Sequence, residues 1–269
     1  MRRWGHMLPA ALPLALAFGS MRLRLRISFG VFLLGGLSAC VPPEPVEPVD
    51  TRPTLAVRVM HSYDSLPFDP QAALSDGAGN AIRFTTLKFI ASGFVAENAE
   101  GDTVAEFPMS AMVEDPLLNY SHEKGIGRVP TTDVRRLRFI LGLDSALNHA
   151  NPLTLPYPLN APGNHWDWNP AAGFKFLQLE GLVDVNGDGD FSDPEDESFV
   201  CHCATDALVR PLSLELEPEL GQQVVRARLK VEWSTVLQGI DLLVAGTAMG
   251  KEAPCPQLMD NLVLAVSAE

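Results

Sequence analysis

The stretch VVRARLKVEW, residues 224–233, constrains the fold more than any other: Val225, Ala227, Leu229, Val231 and Trp233 alternate with Arg226, Arg228, Lys230 and Glu232. A period of two puts one set of side chains on each face of an extended strand, so this segment has one face in a core and one in water. The same reading covers 54–60, 85–97, 102–108, 134–142, 173–181, 211–217 and 239–246, and ENAEGD at 97–102 reads as a hairpin turn. Many short strands parted by Gly-, Pro- and Asn-rich loops predict an all-β fold, an antiparallel β-sandwich with long loops. Short helices are expected at 144–149 and 256–265.

The first forty residues stand apart from that pattern. From Met21 the chain reads three arginines, an apolar run over 27–37 and then Leu37-Ser38-Ala39-Cys40. A charged region followed by an apolar run too short to cross a bilayer is the signature of a signal peptide. The last four residues resemble a bacterial lipobox, which implies lipidation of Cys40 and attachment to a membrane through that lipid alone. By the same resemblance Val41, in place of Asp, points to the outer membrane, facing the periplasm or the cell surface. Residues 41–53 hold five prolines and three acids and read as an extended, solvated tether. The folded part, 54–269, is long enough for one well-buried core and is read as a single domain.

Charge narrows the partners. Five of the twenty basic residues lie in the first forty, which hold no acid, so the remaining chain carries fifteen basic against thirty-three acidic groups. A surface this acidic argues against nucleic acid and anionic lipid, and for cations or a basic partner, although acidity also serves solubility alone. Beyond Cys40 the cysteines are Cys201, Cys203 and Cys255. In an oxidising compartment one disulfide is the default, with Cys255 paired to Cys201 or Cys203 and one thiol left over. A leftover soft thiolate is itself a candidate ligand for copper(I) or zinc.

The most specific local pattern is DVNGDGDFSDPE, 184–195. Asp184, Asn186, Asp188, Asp190 and Glu195, with Gly189 at the sixth position, fill the spacing of an EF-hand-like calcium loop. Calcium wants about six to eight oxygens, alternate residues of a tight loop point inward, and the glycine permits the bend. No helices flank the segment, so it is expected as a calcium loop inserted between strands, pinning a long insertion; the alternative is a solvated acidic loop.

Residues 137–181 carry a second, longer pattern. Phe139, Leu141 and Gly142 close a strand; Leu147, Asn148, His149, Asn151 and Pro152 follow; after a Pro-rich loop come Trp166 and Trp168, and then Gly173, Phe174, Lys175, Phe176, Leu179 and Glu180. This ordered series resembles the MbnP family, periplasmic copper-binding proteins associated with methanobactin and also described as the four-cysteine member of the metallo-mystery pair. TTLKFIASGFVAEN is a looser echo of the family's early strand, and CHCATD looks like a variant of a later element. The resemblance implies a β-rich copper-binding domain and a partner, a di-haem protein related to bacterial cytochrome c peroxidases, that oxidises a tryptophan to kynurenine. Kynurenine has an aryl amine that can join imidazoles on copper, whereas the indole nitrogen only donates. One of Trp166 and Trp168 would then be the substrate and the other a relay or a packing wall.

By that resemblance His149 and His202 are copper ligands, since imidazole suits either copper oxidation state. His165, at a position the family often fills with an apolar residue, would be an additional ligand of this chain. A lone histidine is equally a hydrogen-bonded structural residue, and His61 and His122 are read that way. The chain departs from the family by lacking a cysteine near 60–69 and by flanking His202 with Cys201 and Cys203. Either the disulfide is rearranged or Cys-His-Cys forms a thiolate-containing site. "MGKEAPC", with Met249 and Cys255, looks like a degraded form of a C-terminal Met/Cys segment, or a loop closed by a disulfide.

No Gly-x-Ser-x-Gly, His-Glu-x-x-His or phosphate-cradling glycine loop occurs, so no enzyme is expected. The competing function is a calcium-stabilised structural or glycan-binding β-sandwich, with Trp166 and Trp168 as a stacking platform.

Overall fold

The computed structural model describes residues 50–269 apart from 73, 120, 167 and 169–171; the expected signal segment with Cys40, and the tether up to residue 49, lie outside the described residues. In chain order the strands are β1 (Thr54–Tyr63), β2 (Leu66–Pro67), β3 (Leu74–Ser75), β4 (Ala81–Glu97), β5 (Thr103–Glu114), β6 (Ser121–Arg128) and β7 (Arg136–Leu141). A short helix α1 (Ser145–Asn148) leads into a long loop, and β8 (Lys175–Asp184), β9 (Glu197–Ala204), β10 (Arg210–Glu215), β11 (Glu219–Leu220) and β12 (Val224–Glu232) follow. The chain ends with α2 (Trp233–Val236), α3 (Leu242–Ala245), β13 (Thr247–Gly250), α4 (Cys255–Ala265) and β14 (Val266–Ala268).

These elements make a mostly β fold of two mixed sheets. One runs β11-β12-β1-β2, with β14 beside β12 and β6 beside β1; the other runs β10-β7-β4-β8-β9-β13, with β3 and β5 also on β4. The alternation in 224–232 is realised as read: Val225, Ala227, Leu229 and Val231 are buried, while Arg226 and Arg228 reach out to Glu123, Glu219 and Glu269. Strand β4 is the spine of the larger sheet. It pairs with β8 over Ala81–Phe89 and with β7 over Ala91–Glu97, and its registers with β5 and β7 shift around Gly93. Gly93 has φ +63°, so the kink falls where no Cβ opposes it, and the sheet curls there.

Two expectations are corrected. The sheets are not purely antiparallel, because β1 runs parallel to β12 and β13 parallel to β9. Alternation reports that a segment is a strand and says nothing of its direction; parallel neighbours need only a long connection, which both pairs have. The expected strand at 239–246 is instead the single helical turn α3. Asp241 accepts a hydrogen bond from the backbone N–H of Val244, capping the turn, and Gly246 leaves it at φ +51°. The helices expected at 144–149 and 256–265 are α1 and α4, and the 97–102 hairpin joins β4 to β5 through the Asn98–Asp102 hydrogen bonds.

The core lies between the sheets and under α2 and α4, with Trp233, Phe94, Phe174, Phe176 and Phe199 among its largest fully buried side chains. Cys203 on β9 bonds to Cys255 at the start of α4, tying the helix to the sheet, and Cys201 is a free, buried thiol. Among the described residues no helix is long and apolar enough to cross a membrane.

Candidate functional site

The motif residues of 139–181 mainly build a platform. The Asn148 side chain, fully buried, accepts from the backbone N–H of Phe174 (2.8 Å) and donates to Asp206 Oδ1 (2.6 Å). It thereby staples α1 to the start of β8 and to the segment after β9. Asn164 is a second staple: its side chain donates to the Pro158 carbonyl, and its own carbonyl accepts from Lys175. The Trp166 amide donates to the Gly173 carbonyl, and His165 bridges Phe174. The tryptophan loop is therefore folded back along the first residues of β8.

This arrangement sets Trp166 against His202 of β9, ring centroids 5.5 Å apart, and Trp168 edge-on to Trp166 at 5.7 Å. Trp166 is buried and carries the Lys175 ammonium 5.3 Å from its ring centroid, whereas Trp168 is 78% exposed. His202 is only 9% exposed. Its Nε2 lies 2.6 Å from Glu180 Oε1, and Glu180 Oε2 accepts from Thr86 Oγ1. An ionised carboxylate only accepts, so the proton of a neutral His202 sits on Nε2 and Nδ1 carries a lone pair. Burial pushes the His202 pKa down, which keeps that neutral form at pH 7. Nδ1 is buried with no hydrogen-bond partner.

The other expected ligands are placed differently. His149 is half-exposed and pairs with Asp206 at 3.3 Å, the same carboxylate that anchors Asn148. Asp206 follows Thr205, a β-branched residue at φ +86°, a backbone state that costs energy and persists only where the surroundings impose it. The His165 ring packs edge-on to Phe174 at 5.8 Å. So the fold gathers His202, Trp166 and Trp168, sets His165 beside them in sequence with its ring on Phe174, and turns His149 to Asp206. Among the described residues no three His, Cys, Asp or Glu side chains are gathered as a metal-ligating set. The Cys-His-Cys alternative resolves to the rearranged disulfide: Cys203 is bonded to Cys255, and burial pushes the Cys201 thiol up to about 11.

The segment 184–195 does join two strands, β8 and β9. Asp184 accepts from the amides of Gly187 (2.6 Å) and Gly189 (2.9 Å), and Asn186, Asp188 and Asp190 each accept from the amide two residues on. Glu195 is exposed. Two acids at positions the ligand spacing does not use, Asp193 through Oδ1 and Asp196 through both oxygens, instead have buried carboxylate oxygens without a hydrogen bond of good geometry. Desolvation, with the charge of Asp193 next, raises the Asp196 pKa.

A second polar cluster joins His61 and His122, both expected as hydrogen-bonded structural residues, to Glu114, which the sequence did not single out. His61 on β1 and Glu114 on β5 have wholly buried side chains, with His61 Nε2 3.3 Å from Glu114 Oε2; His122 Nδ1 on β6 lies 2.9 Å from Glu114 Oε1. Trp233 Nε1–H points at His61 Nδ1 (3.3 Å), and the rings stack at 6.1 Å. The indole can only donate, so His61 accepts at Nδ1 and donates from Nε2 to Glu114, and both its nitrogens are used. Burial pulls the Glu114 pKa up, but hydrogen bonds from His122 and His61 outweigh it and leave the group below its ordinary value. The bond to Glu114 raises His122. Trp233 had a place only in the strand alternation, and the three acid–base partners come from strands far apart in sequence.

A family model described as MbnP matches residues 52–255. Among solved structures, MbnP from Methylosinus trichosporium is similar at 15% sequence identity and a TM-score of 0.48, over 77% of this chain and 86% of that one. Comparison with curated proteins gives no match. With the family match running from the last residues of the tether to Cys255 at the foot of α4, the chain belongs to the MbnP family.

Proposed function

We propose that this chain is an exported, lipid-anchored copper-binding protein, held at the outer membrane through Cys40, whose copper site involves His202. One observation carries the reading: a nearly buried imidazole, oriented by a carboxylate on Nε2, keeps its Nδ1 lone pair unpartnered beside a tryptophan. A carboxylate–imidazole pair of this kind fixes the tautomer and raises the ring's basicity as a ligand. A buried lone pair without a partner is otherwise costly. His149, bound to Asp206 at the loop edge, is the candidate for delivering or completing the site if that loop moves.

The maturation reading rests on family membership: a di-haem partner would oxidise one tryptophan to kynurenine. Leu153, Tyr157 and Trp168, all strongly exposed on the one loop between α1 and β8, give such a partner an apolar surface to meet. Among the described residues two indoles touch a histidine. Trp166 adjoins an imidazole already open at Nδ1, whereas Trp233 closes His61 Nδ1 with its own N–H. Converting the Trp233 indole to kynurenine would turn this ring N–H into an aryl amine with a lone pair of its own beside His61, so it is the second candidate.

The test is copper content of the purified protein alone and after co-expression with the di-haem protein encoded beside it. The native chain is expected to bind one copper, and His202→Gln to lower the affinity by about a hundredfold, within the range seen when an imidazole ligand or its support is lost. Peptide mass mapping should place the tryptophan-to-kynurenine shift on 163–176 or on the peptide holding Trp233. Full copper binding by His202→Gln overturns the site assignment.

A calcium role for 184–196 is a separate reading, favoured by the Asp193 and Asp196 oxygens described above. Asp184, Asn186, Asp188 and the Asp190 carbonyl would serve with Asp196 in place of Glu195. Millimolar calcium is expected to raise the Tm relative to chelator, and Asp196→Asn to abolish the rise while Glu195→Gln keeps it. Equal melting with calcium and chelator rejects this reading.

A further inference from the structure

Strand β6 carries a lysine on its inner face. Lys124 is paired with Val57 of β1, as His122 is with Val59, and the side chains of paired residues stand on the same face. Val57 and Val59 are buried in the core, so the alternation of β6 turns His122, Lys124 and Ile126 inward and leaves Glu123 and Gly125 to solvent. A lysine rarely occupies such a face without a carboxylate beside it. Lys124 has none: among the described residues it forms no ion pair. Its ammonium donates to the Ala111 carbonyl of β5. Glu114, whose charge reaches it, already has one oxygen on His61 and the other on His122. An ammonium has three donors, so two are left without a protein partner. Burial pulls the Lys124 pKa down, as it does for a charge stripped of water with no counter-ion.

Lys124 also lines a cavity. Strands β5 and β6 belong to different sheets, and Ser110 Oγ bridges the seam between them by donating to the Ile126 carbonyl (3.0 Å). Beside that bridge lies a cavity of about 180 Å³, with Lys124 on one side and Met109, Tyr157, Pro158 and Leu159 on the other. The loop wall is held in place. The amides of Leu159 and Ala161 donate to the carbonyls of Pro156 and Pro158, Asn164 donates to Pro158 as well, and proline fixes its own φ. Met109 and Tyr157 stand exposed at the rim.

A preformed cavity with apolar sides and one charge short of compensation has the composition of a small-ligand site. A single ammonium calls for a monoanion, and the apolar wall calls for a body that an inorganic anion lacks. The volume is below the roughly 300–1,000 Å³ of sites for drug-sized ligands, which limits that body to about one ring. We propose that the seam between β5 and β6 binds a small aromatic monocarboxylate, its carboxylate on Lys124 Nζ and its ring against Tyr157 and Pro158. The site is independent of the copper reading, since neither His202 nor the tryptophan pair lines it.

The test titrates the full mature chain with benzoate, in the presence of a chelator so that no metal ion bridges, and follows the amides of Ala111, Lys124 and Leu159 by NMR. Saturable shifts are expected at roughly millimolar benzoate, the affinity that a ligand of this size reaches. Benzamide keeps the ring and loses the charge, and acetate keeps the charge and loses the ring. Each should bind about tenfold or more weakly. Lys124→Met keeps the apolar stem and should lose benzoate by a similar factor. Because that variant also frees the Ala111 carbonyl, the exposed Tyr157→Ala is the second one; it should weaken benzoate and leave acetate unchanged. The inference is overturned by the absence of a saturable shift, by shifts that persist unchanged in Lys124→Met or in Tyr157→Ala, or by benzamide or acetate binding as tightly as benzoate.

Discussion

Glu114→Ala is expected to destabilise the native state by about 1–3 kcal/mol, since it leaves the buried His61 N–H without its carboxylate acceptor. Neither side chain of the Glu114–His61 pair has any exposure. Removing the carboxylate strands His61 Nε2–H in the core, and the Trp233 N–H still occupies Nδ1, so the ring cannot switch tautomer to escape. Against a total stability of about 5–15 kcal/mol, this is a large fraction, visible as a shifted urea midpoint at unchanged slope. Glu114→Gln separates geometry from charge. The amide oxygen can accept from His61 and the amide N–H can donate to a neutral His122, so its loss should be much smaller than that of Glu114→Ala. If Ala and Gln lose the same amount, the cluster is not held by the pairing described.

The pH response gives the Glu114–His122 contact of the same cluster a second signature. His122 is raised from 6.5, so its contribution is fully present below that value and is lost as pH rises through the raised one. Glu114 is lowered from 4.5, so its contribution is present above that value and is lost as pH falls through the depressed one. The native Tm should therefore decline as pH rises beyond 6.5. The decline is moderated by solvent at the half-exposed His122, and it should flatten in Glu114→Gln, where no charge raises the histidine.

The alternation of 224–233 could be read because a strand with one wet face writes its geometry into consecutive residues. Direction, and the fate of 239–246, could not, because LLVA is apolar in either state and a single aspartate cap decides it. The site divides the same way. The tryptophan loop was legible as a contiguous motif, but the motif does not say that Asn148 is the staple and its neighbour His149 the exposed edge. His61, Glu114 and His122 meet across three strands, and His202 meets Met249 across a parallel pair. Contacts of that kind leave no local period to find, and only the sheet order reveals them.

Gly173→Ala is the second large effect, because two independent penalties fall on one position. Gly173 has φ +78°, where an L side chain costs roughly 1–2 kcal/mol. A Cβ there would also lie 2.3 Å from Asn148 Oδ1 and 2.9 Å from the Asn148 carbonyl oxygen. Asn148 cannot move aside cheaply, since its amide is held by Phe174 on one side and Asp206 on the other. Displacing it leaves the buried Phe174 N–H unpaired, at about 1–3 kcal/mol. Gly101 supplies the internal control: it has φ +87°, but the nearest atom to an added Cβ is the end of the Arg136 side chain at 3.8 Å. Gly101→Ala should therefore show the backbone cost alone, with Gly173→Ala losing at least about twice as much. Combining Gly173→Ala with Asn148→Ala should cost less than the sum of the two, because the first clash is then relieved. The same staple holds the loop that lays Trp166 on His202, so the fluorescence of the tryptophan pair should shift in Gly173→Ala and stay native in Gly101→Ala. Equal losses at the two glycines would mean that the loop yields freely around Asn148, and that the platform under the copper site is not rigid.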